Sequence, residues 1–516
     1  MNKSEYYGLS SKTQVALIVN DEVLKEKGLL IDGEVYIDYT TVWNYLNSGY
    51  YWEASDSRLL LTLPAETNIW TPKDGSDAVI LDENGVPYIS ATCIRKNSDI
   101  DMNILKEPYR VVARTYWNGV IVGTMTEDSE LRYREWCNSE ILTEVKKGDT
   151  MVLLEDLQNC CRVSTTDGYI GYVPKGSFMQ NNDATLSHIT DARFQFQKIS
   201  MDYKISLGWH YVNSQEGKES LSERISEAAG LNTISPTWFS LADEQGNLLS
   251  YADKAYVEQA HAAGLQVWGM LDDVNKSSIR TGEVLAGASA RANIVQQLLQ
   301  IAADSHMDGI NVDFEFIKED SAPQYLQFLK ELCIAAHAQN LVVSTNNFVP
   351  IYTEYYKRAE QAKTVDYLII MGYDEHTASS KKIGSVASLP FVEQGIQDTL
   401  KEVSAEQVIN AIPFYTRSWV ETIDTSMTKS KVLDMDAAAA FVERHGIVTT
   451  WDASVGQKVG SVEEESVRYS IWLEDEQSVE AKMKLITRYN LAGVAGWRLG
   501  LERASVWNII AQYLAA

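Results

Sequence analysis

The chain has 516 residues, with 45 lysines and arginines against 71 aspartates and glutamates, a net charge of −26, and 10% aromatic side chains. That length holds more than one domain with a real core. The acidic balance argues against binding nucleic acid through phosphates and against electrostatic attraction to an anionic membrane or wall polymer. The five cysteines (Cys93, Cys137, Cys160, Cys161, Cys333) show neither metal-ligand spacing nor a disulfide framework. No run reaches the ~18 apolar residues of a membrane span. The opening Met1–Glu5 leads into polar residues and shows no secretory leader.

Residues 1–106 carry a faint internal repeat. Leu29–Asp38 is echoed by Val79–Ser90, each an apolar run, a Gly-containing turn and a second strand, hence a hairpin. A short helical stretch such as Thr41–Leu46 follows, then Tyr51–Ala54 and the alternating strand Arg58–Leu63. The pattern resembles a small α+β module found in copper amine oxidases and bacterial wall proteins, without a ligand cluster that would imply copper. Residues 107–180 read as short strands closed by tight turns. Val145–Thr150 introduces the strand Met151–Leu154, and Thr166-Asp167-Gly168-Tyr169-Ile170-Gly171-Tyr172-Val173-Pro174 closes the set. This resembles a bacterial SH3-type β-barrel, which implies either peptidoglycan binding or a spacer role. Residues 181–200, opening with Asn181-Asn182-Asp183, are expected to be a linker.

From residue 201 onward, short apolar runs alternate with helical patterns, the βα signal of a parallel sheet. Eight strands are expected, beginning near Lys204, Thr233, Gln266, Gly309, Leu341, Tyr367, Val408 and Gly493. Eight such units over ~300 residues predict an α/β TIM (β/α)8 barrel. Strand-like runs at Gly446–Trp451 and Arg468–Leu473 predict a small insertion at about 421–475 on its upper face.

In this fold the site lies at the C-terminal strand ends, where polar and aromatic residues gather. They include Trp209 and Tyr211, Asp272 and Asp273, Asn346 and Asn347, Tyr373 and Asp374, Tyr415 and Trp497. The fourth strand stands out. Asn311, Asp313 and Glu315 alternate with Val312, Phe314 and Phe316, so the polar groups share one face, with Cα atoms roughly 7 Å apart. Acids on the inner face of an apolar strand are costly unless paired or used. Asp308-Gly309 suits a turn before the strand, His376 a loop surface, and Trp209 either the core or a platform for a ligand.

Asp308, Asn311, Asp313 and Glu315 occupy the places of the Asp-x-x-Asp-x-Asp-x-Glu motif of glycoside hydrolase family 18. Met371-Gly372-Tyr373-Asp374, Pro413-Phe414-Tyr415 and Trp497 match further family motifs in the same order. Within the family, Gly493–Glu502 and Trp472–Ser478 look most like the spore-germination and cortex-degrading branch. The resemblance implies a retaining, substrate-assisted glycosidase without metal or cofactor, acting on an N-acetylglucosamine-containing glycan. Peptidoglycan or spore cortex is the first expectation, and chitin or N-glycans the second. A weak carbohydrate-binding wall protein is the rival of another class. The resemblance gives Glu315 as acid, Asp313 and Tyr373 as partners of the acetamido group, and Asn311, Met371, Asp374, Tyr415, Trp497 and Trp209 as substrate contacts. It also implies an extracellular or wall-associated place. Asn311 stands where the family has an acid, and an amide there cannot titrate and can only hydrogen-bond to Asp313.

Overall fold

A computed structural model describes residues 2–72, 77–135, 138–274, 278–423 and 427–515, with backbone alone for 182–185. Cys137 lies outside them; Cys93, Cys160, Cys161 and Cys333 are buried free thiols. The chain divides into two compact units, Met1–Phe196 and Gln197–Ala516.

In the first unit both copies of the repeat form hairpins, Glu22–Ile31 with Glu34–Asp38 and Val79–Leu81 with Pro87–Ser90. In each copy the last strand residue turns the chain into a short helix. The Asp38 carboxylate accepts from the Thr41 amide at 2.9 Å, and the Ser90 hydroxyl from the Cys93 amide at 3.2 Å. Such caps satisfy amides that the first helical turn leaves open. The sheet continues past the expected boundary at 106. Arg110–Arg114 runs parallel to Gln14–Val19 and antiparallel to Asp101–Leu105.

A second, antiparallel sheet takes seven strands from Ile121–Met125 to Phe178–Thr185, with a single 3-10 turn, Lys175–Ser177, before the last. Residues 181–185, expected to open a linker, belong to that last strand. They continue its pairing with Ile121–Met125, so backbone hydrogen bonding overrides their polar composition. The two sheets share a core in which Tyr7, Ala16 and Ile18 pack with Met125, Leu131, Val163 and Tyr169. Arg110 bridges them, donating to the Asp167 carbonyl at 2.7 Å with its guanidinium over the Tyr169 ring.

The second unit is a closed parallel barrel. Its strands are β1 (Ile205–His210), β2 (Thr233–Pro236), β3 (Gln266–Asp272), β4 (Gly309–Asp313), β5 (Val342–Phe348), β6 (Tyr367–Met371), β7 (Val408–Pro413) and β8 (Gly493–Trp497). These are the eight runs expected from the sequence. β8 pairs with both β1 and β7, and β2 with β3, which closes the ring. Nearly every strand residue is buried, because helices cover the outer face and side chains fill the inner one. Between β7 and β8 lies the insertion, a five-stranded antiparallel sheet with the helix Met435–Arg444. It begins at Tyr415, earlier than expected, because the strand Tyr415–Thr422 leaves β7 almost directly.

Candidate active site

β4 brings the polar face read from the sequence to the inside of the barrel. Asn311 is fully buried and Asp313 is 4% exposed. Glu315 lies two residues past the strand end and is half-buried at the mouth. Phe314 fills the core, whereas Phe316 is 48% exposed beside a cleft of about 480 Å³ that Arg280, Thr281 and Lys318 also line. The strand thus ends where the acid must reach solvent.

Asn311 is held from several sides. The Trp209 indole N–H donates to its Oδ1 at 3.0 Å, and its own amide donates to Ser344 Oγ at 2.9 Å and Asn346 Oδ1 at 2.8 Å. The Asn346 amide in turn donates to Asp313 Oδ1 at 2.9 Å. Asn311 therefore reaches Asp313 through Asn346, where the sequence suggested a direct bond. Trp209 has no exposed surface. Of its two expected places, core or sugar platform, it takes the core, with its ring edge-on to Trp497 at 5.7 Å.

β3 positions the acid. The Asp273 carboxylate accepts the backbone amides of Glu315 at 2.8 Å and Phe316 at 3.1 Å, and the Thr281 hydroxyl at 2.7 Å. Asp272 stands beside Asp313 in the strand register and accepts from Ser240 at 3.2 Å. Acids from several strands thus crowd one end of the barrel. Burial, then the charges of Asp273, Asp374 and Asp272, push the Glu315 carboxyl up to about 7. Burial and then Glu315 push Asp313 well above the carboxylate range, against the Asn346 hydrogen bond that lowers it.

β6 and β7 supply the opposite wall. Met371 ends β6 and is buried, and Tyr373 follows at 7% exposure. Burial and the Asp313 charge raise the Tyr373 phenol well above its ordinary value, so it is a neutral O–H donor at any working pH. Asp374 has a left-handed backbone, φ 61°, a conformation that costs an L-residue free energy and often marks functional sites. Its Oδ1 accepts the Tyr415 hydroxyl at 2.5 Å. Trp497, half-buried, ends β8 and pairs with Pro413.

Glu315, Asp313, Tyr373, Asp374, Tyr415 and Trp497 thus meet at one barrel mouth, with Asn311, Met371 and Trp209 buried beneath or beside them. Asp308 lies at the other end of β4 and accepts the Val267 amide at 2.7 Å, a structural role. His376 packs on its own loop through the Ser385 carbonyl at 2.8 Å. Two residues were noted at strand ends in the sequence but given no task there. Asn346 bridges Asn311 to Asp313, and Asp273 anchors the Glu315 backbone. The doublets Asp272-Asp273 and Asn346-Asn347 were the available signal. One member of the second doublet points inward; the other, Asn347, bonds Gln361 on the outer helices at 3.0 Å.

Known proteins share this architecture. The chain is 25% identical over 301 residues to the uncharacterized glycosylase YvbX of Bacillus subtilis (strain 168), covering 54% of this chain and 84% of that one. It is 20% identical over 249 residues to the cortical fragment-lytic enzyme of Bacillus anthracis, covering 47% of this chain and 58% of the relative. The fold resembles that of the chitinase from Chromobacterium violaceum ATCC 12472 (TM-score 0.54, 22% identity, 61% of this chain and 99% of that one). It also resembles the Bacillus cereus spore cortex-lytic enzyme SleL (TM-score 0.53, 17% identity, 64% of this chain and 78% of that one). The profile of glycosyl hydrolases family 18 matches residues 169–502, more than half of the chain and all of the barrel mouth just described, so the chain belongs to that family.

Proposed function

We propose that this enzyme cleaves β-linkages after N-acetylglucosamine, with retention, and that peptidoglycan or spore cortex is its substrate. The observation that carries the reading is Glu315, a half-buried acid among other acids, whose carboxyl is pushed up to about 7. A general acid works best when its pKa lies near the operating pH. Glu315 then gives its proton to the glycosidic oxygen as the bond to the anomeric carbon breaks.

The N-acetyl carbonyl oxygen of the same sugar attacks the anomeric carbon and forms an oxazolinium ion, the substrate-assisted exception among retaining glycosidases. Asp313 accepts the acetamido N–H. A carboxylic acid does this through its carbonyl oxygen, so the role does not require Asp313 to be ionised at rest. Tyr373 donates its hydroxyl to the acetamido oxygen. Trp497 forms the apolar floor, and Asp374 and Tyr415 hold sugar hydroxyls. Asn311, Trp209 and Met371 support this set from below. In the second half-reaction a water attacks the anomeric carbon from the face the leaving group vacated, and Glu315, now a carboxylate, takes its proton.

The cortex-lytic names of several relatives favour peptidoglycan as substrate. Chitin oligosaccharides are the second reading, favoured by the di-N-acetylchitobiase of Homo sapiens at 23% identity over 270 residues. Purified protein should release new reducing ends from cortex peptidoglycan, and mass spectrometry should find N-acetylglucosamine at those ends. Equal release by wild type and Glu315→Gln would sink the hydrolase reading. We also assign wall attachment to the first unit. Deletion of residues 1–196 should abolish co-sedimentation with insoluble peptidoglycan and leave cleavage of soluble oligomers within about two-fold, because the barrel unit has its own core. Unchanged sedimentation would make the first unit a spacer.

A further inference from the structure

Two guanidinium groups come together at the turn that follows β8, next to Trp497. Arg498 directly follows Trp497 at the end of β8, and its guanidinium lies over the Tyr211 ring at 5.0 Å. Tyr211 follows β1 and is 42% exposed. Arg224 reaches the same turn; a Cβ on Gly500 would come within 2.8 Å of its guanidinium carbon. Burial disfavours the Arg498 charge, and the neighbouring Arg224 charge adds to that.

The carboxylate that Arg498 senses most, Glu502, is already occupied. Its oxygens accept the Gly500 and Leu501 amides at 2.8 and 3.0 Å and the Trp507 indole N–H at 3.0 Å. Arg224 faces Glu223 at 3.5 Å, a pair with 35% and 74% of its side chains exposed, which water screens. His210, beneath, bonds Tyr256 at 2.7 Å and Ser220 at 2.9 Å and adds no positive charge near neutrality. In a chain with 26 more acids than bases, Arg498 is half-buried on an aromatic face with no ion pair among the described residues, which leaves its planar fork open to a carboxylate from outside.

We propose that Arg498, with Arg224 behind it and Tyr211 as its platform, binds a carboxylate carried by the amino sugar next to the N-acetylglucosamine whose linkage is cut. The lactyl ether of a muramyl residue has this chemistry where its carboxyl carries no stem peptide and is not closed into a lactam, so the pair would favour peptide-free glycan strands. The inference rests on the glycosidase reading of the mouth and adds a selectivity to it. Chitin offers no such group, so this pair would separate the two substrate classes.

The test reads binding, so it does not depend on turnover. In the Glu315→Gln protein, calorimetry compares a muramyl-containing tetrasaccharide as the peptide-free acid, its methyl ester and chitotetraose. Adding Arg498→Gln should weaken the muramyl oligomer about ten-fold, as loss of a charge-assisted hydrogen bond does. Chitotetraose affinity should stay within two-fold, and Arg224→Gln should show a smaller loss with the same selectivity. Without touching Arg498, the methyl ester should bind as weakly as the acid binds to the Arg498→Gln variant. Equal losses on both glycans, or an ester that binds like the acid, would overturn the inference. Selective binding together with a wild type that cleaves neither oligomer would keep the inference and overturn the hydrolase reading.

Discussion

Glu360 and Asp313 are both carboxyls sealed inside the barrel unit, and they titrate in opposite directions. Glu360 lies in the helical layer between Lys330 and Lys363, each 2.8 Å away. Burial pushes its carboxyl up, but the two ammonium groups outweigh burial and hold it well below the ordinary range. Asp313 at the barrel mouth has an amide from Asn346 and acids around it, so burial and like charge both push it up. Glu474 stands between the two cases. It is fully buried on the single lysine Lys482 at 3.0 Å, and burial still raises it. Burial alone does not say what a carboxyl is for. The charges beside it do: the helical layer sets two lysines against its acid and keeps it charged, whereas Asp313 and Glu315 lie buried beside other acids, with no ion pair to either among the described residues, and so keep their protons.

The largest effect expected from this contrast is chemical. Glu315→Gln removes the proton donor and keeps the shape, and kcat on cortex oligomers should fall about 1,000-fold. A loss under ten-fold would mean that another group protonates the leaving oxygen. The mirror experiment is structural. Lys330→Met leaves Glu360 buried with one partner, and urea unfolding should show a loss of about 3 kcal/mol with kcat of the folded fraction unchanged. A neutral result there would break the comparison from the other side.

The pH dependence of stability sharpens it further. Glu315, pushed up to about 7 in the fold, titrates near 4.3 when unfolded. Between those values the folded state keeps a proton the unfolded state has lost. The resulting stability is complete below about pH 4 and disappears as pH rises through about 7. Wild type should therefore lose about 2 kcal/mol relative to Glu315→Gln between pH 5 and pH 8; parallel stability curves would show that Glu315 is not desolvated. The smallest effect is expected at Asn311. Asn311→Asp adds a titratable group one amide away from Asp313, and the kcat/KM profile between pH 4 and 9 should shift by about half a unit. An unmoved profile would show that Asn346 insulates the two positions.

Much of the barrel was legible because its cues are local. Alternating apolar runs and helical patterns gave all eight strands, and a period of two gave the shared face of Asn311 and Asp313. The contacts that organise the mouth are not local. Asp273 holds the Glu315 amide from 42 residues away, and Asn346 reaches Asp313 across 33. Nothing in either neighbourhood encodes the partner. Trp209 shows the same limit: its type suits a platform as well as a core, and only closure of β8 onto β1 buries it. At 181–185, polar composition suggested a linker, yet an edge strand needs backbone pairing more than apolar side chains.

The core shared by the two N-terminal sheets has a further consequence. Ala16 and Ile18 lie on a strand of one sheet, and Tyr7 ends the short helix before it, yet all three pack into the interior of the other. A recombination break placed between them, near residues 115–120, would expose apolar surface on both fragments. The modules are therefore inherited, lost or grafted together: the cassette that evolution or an engineer can move is the pair.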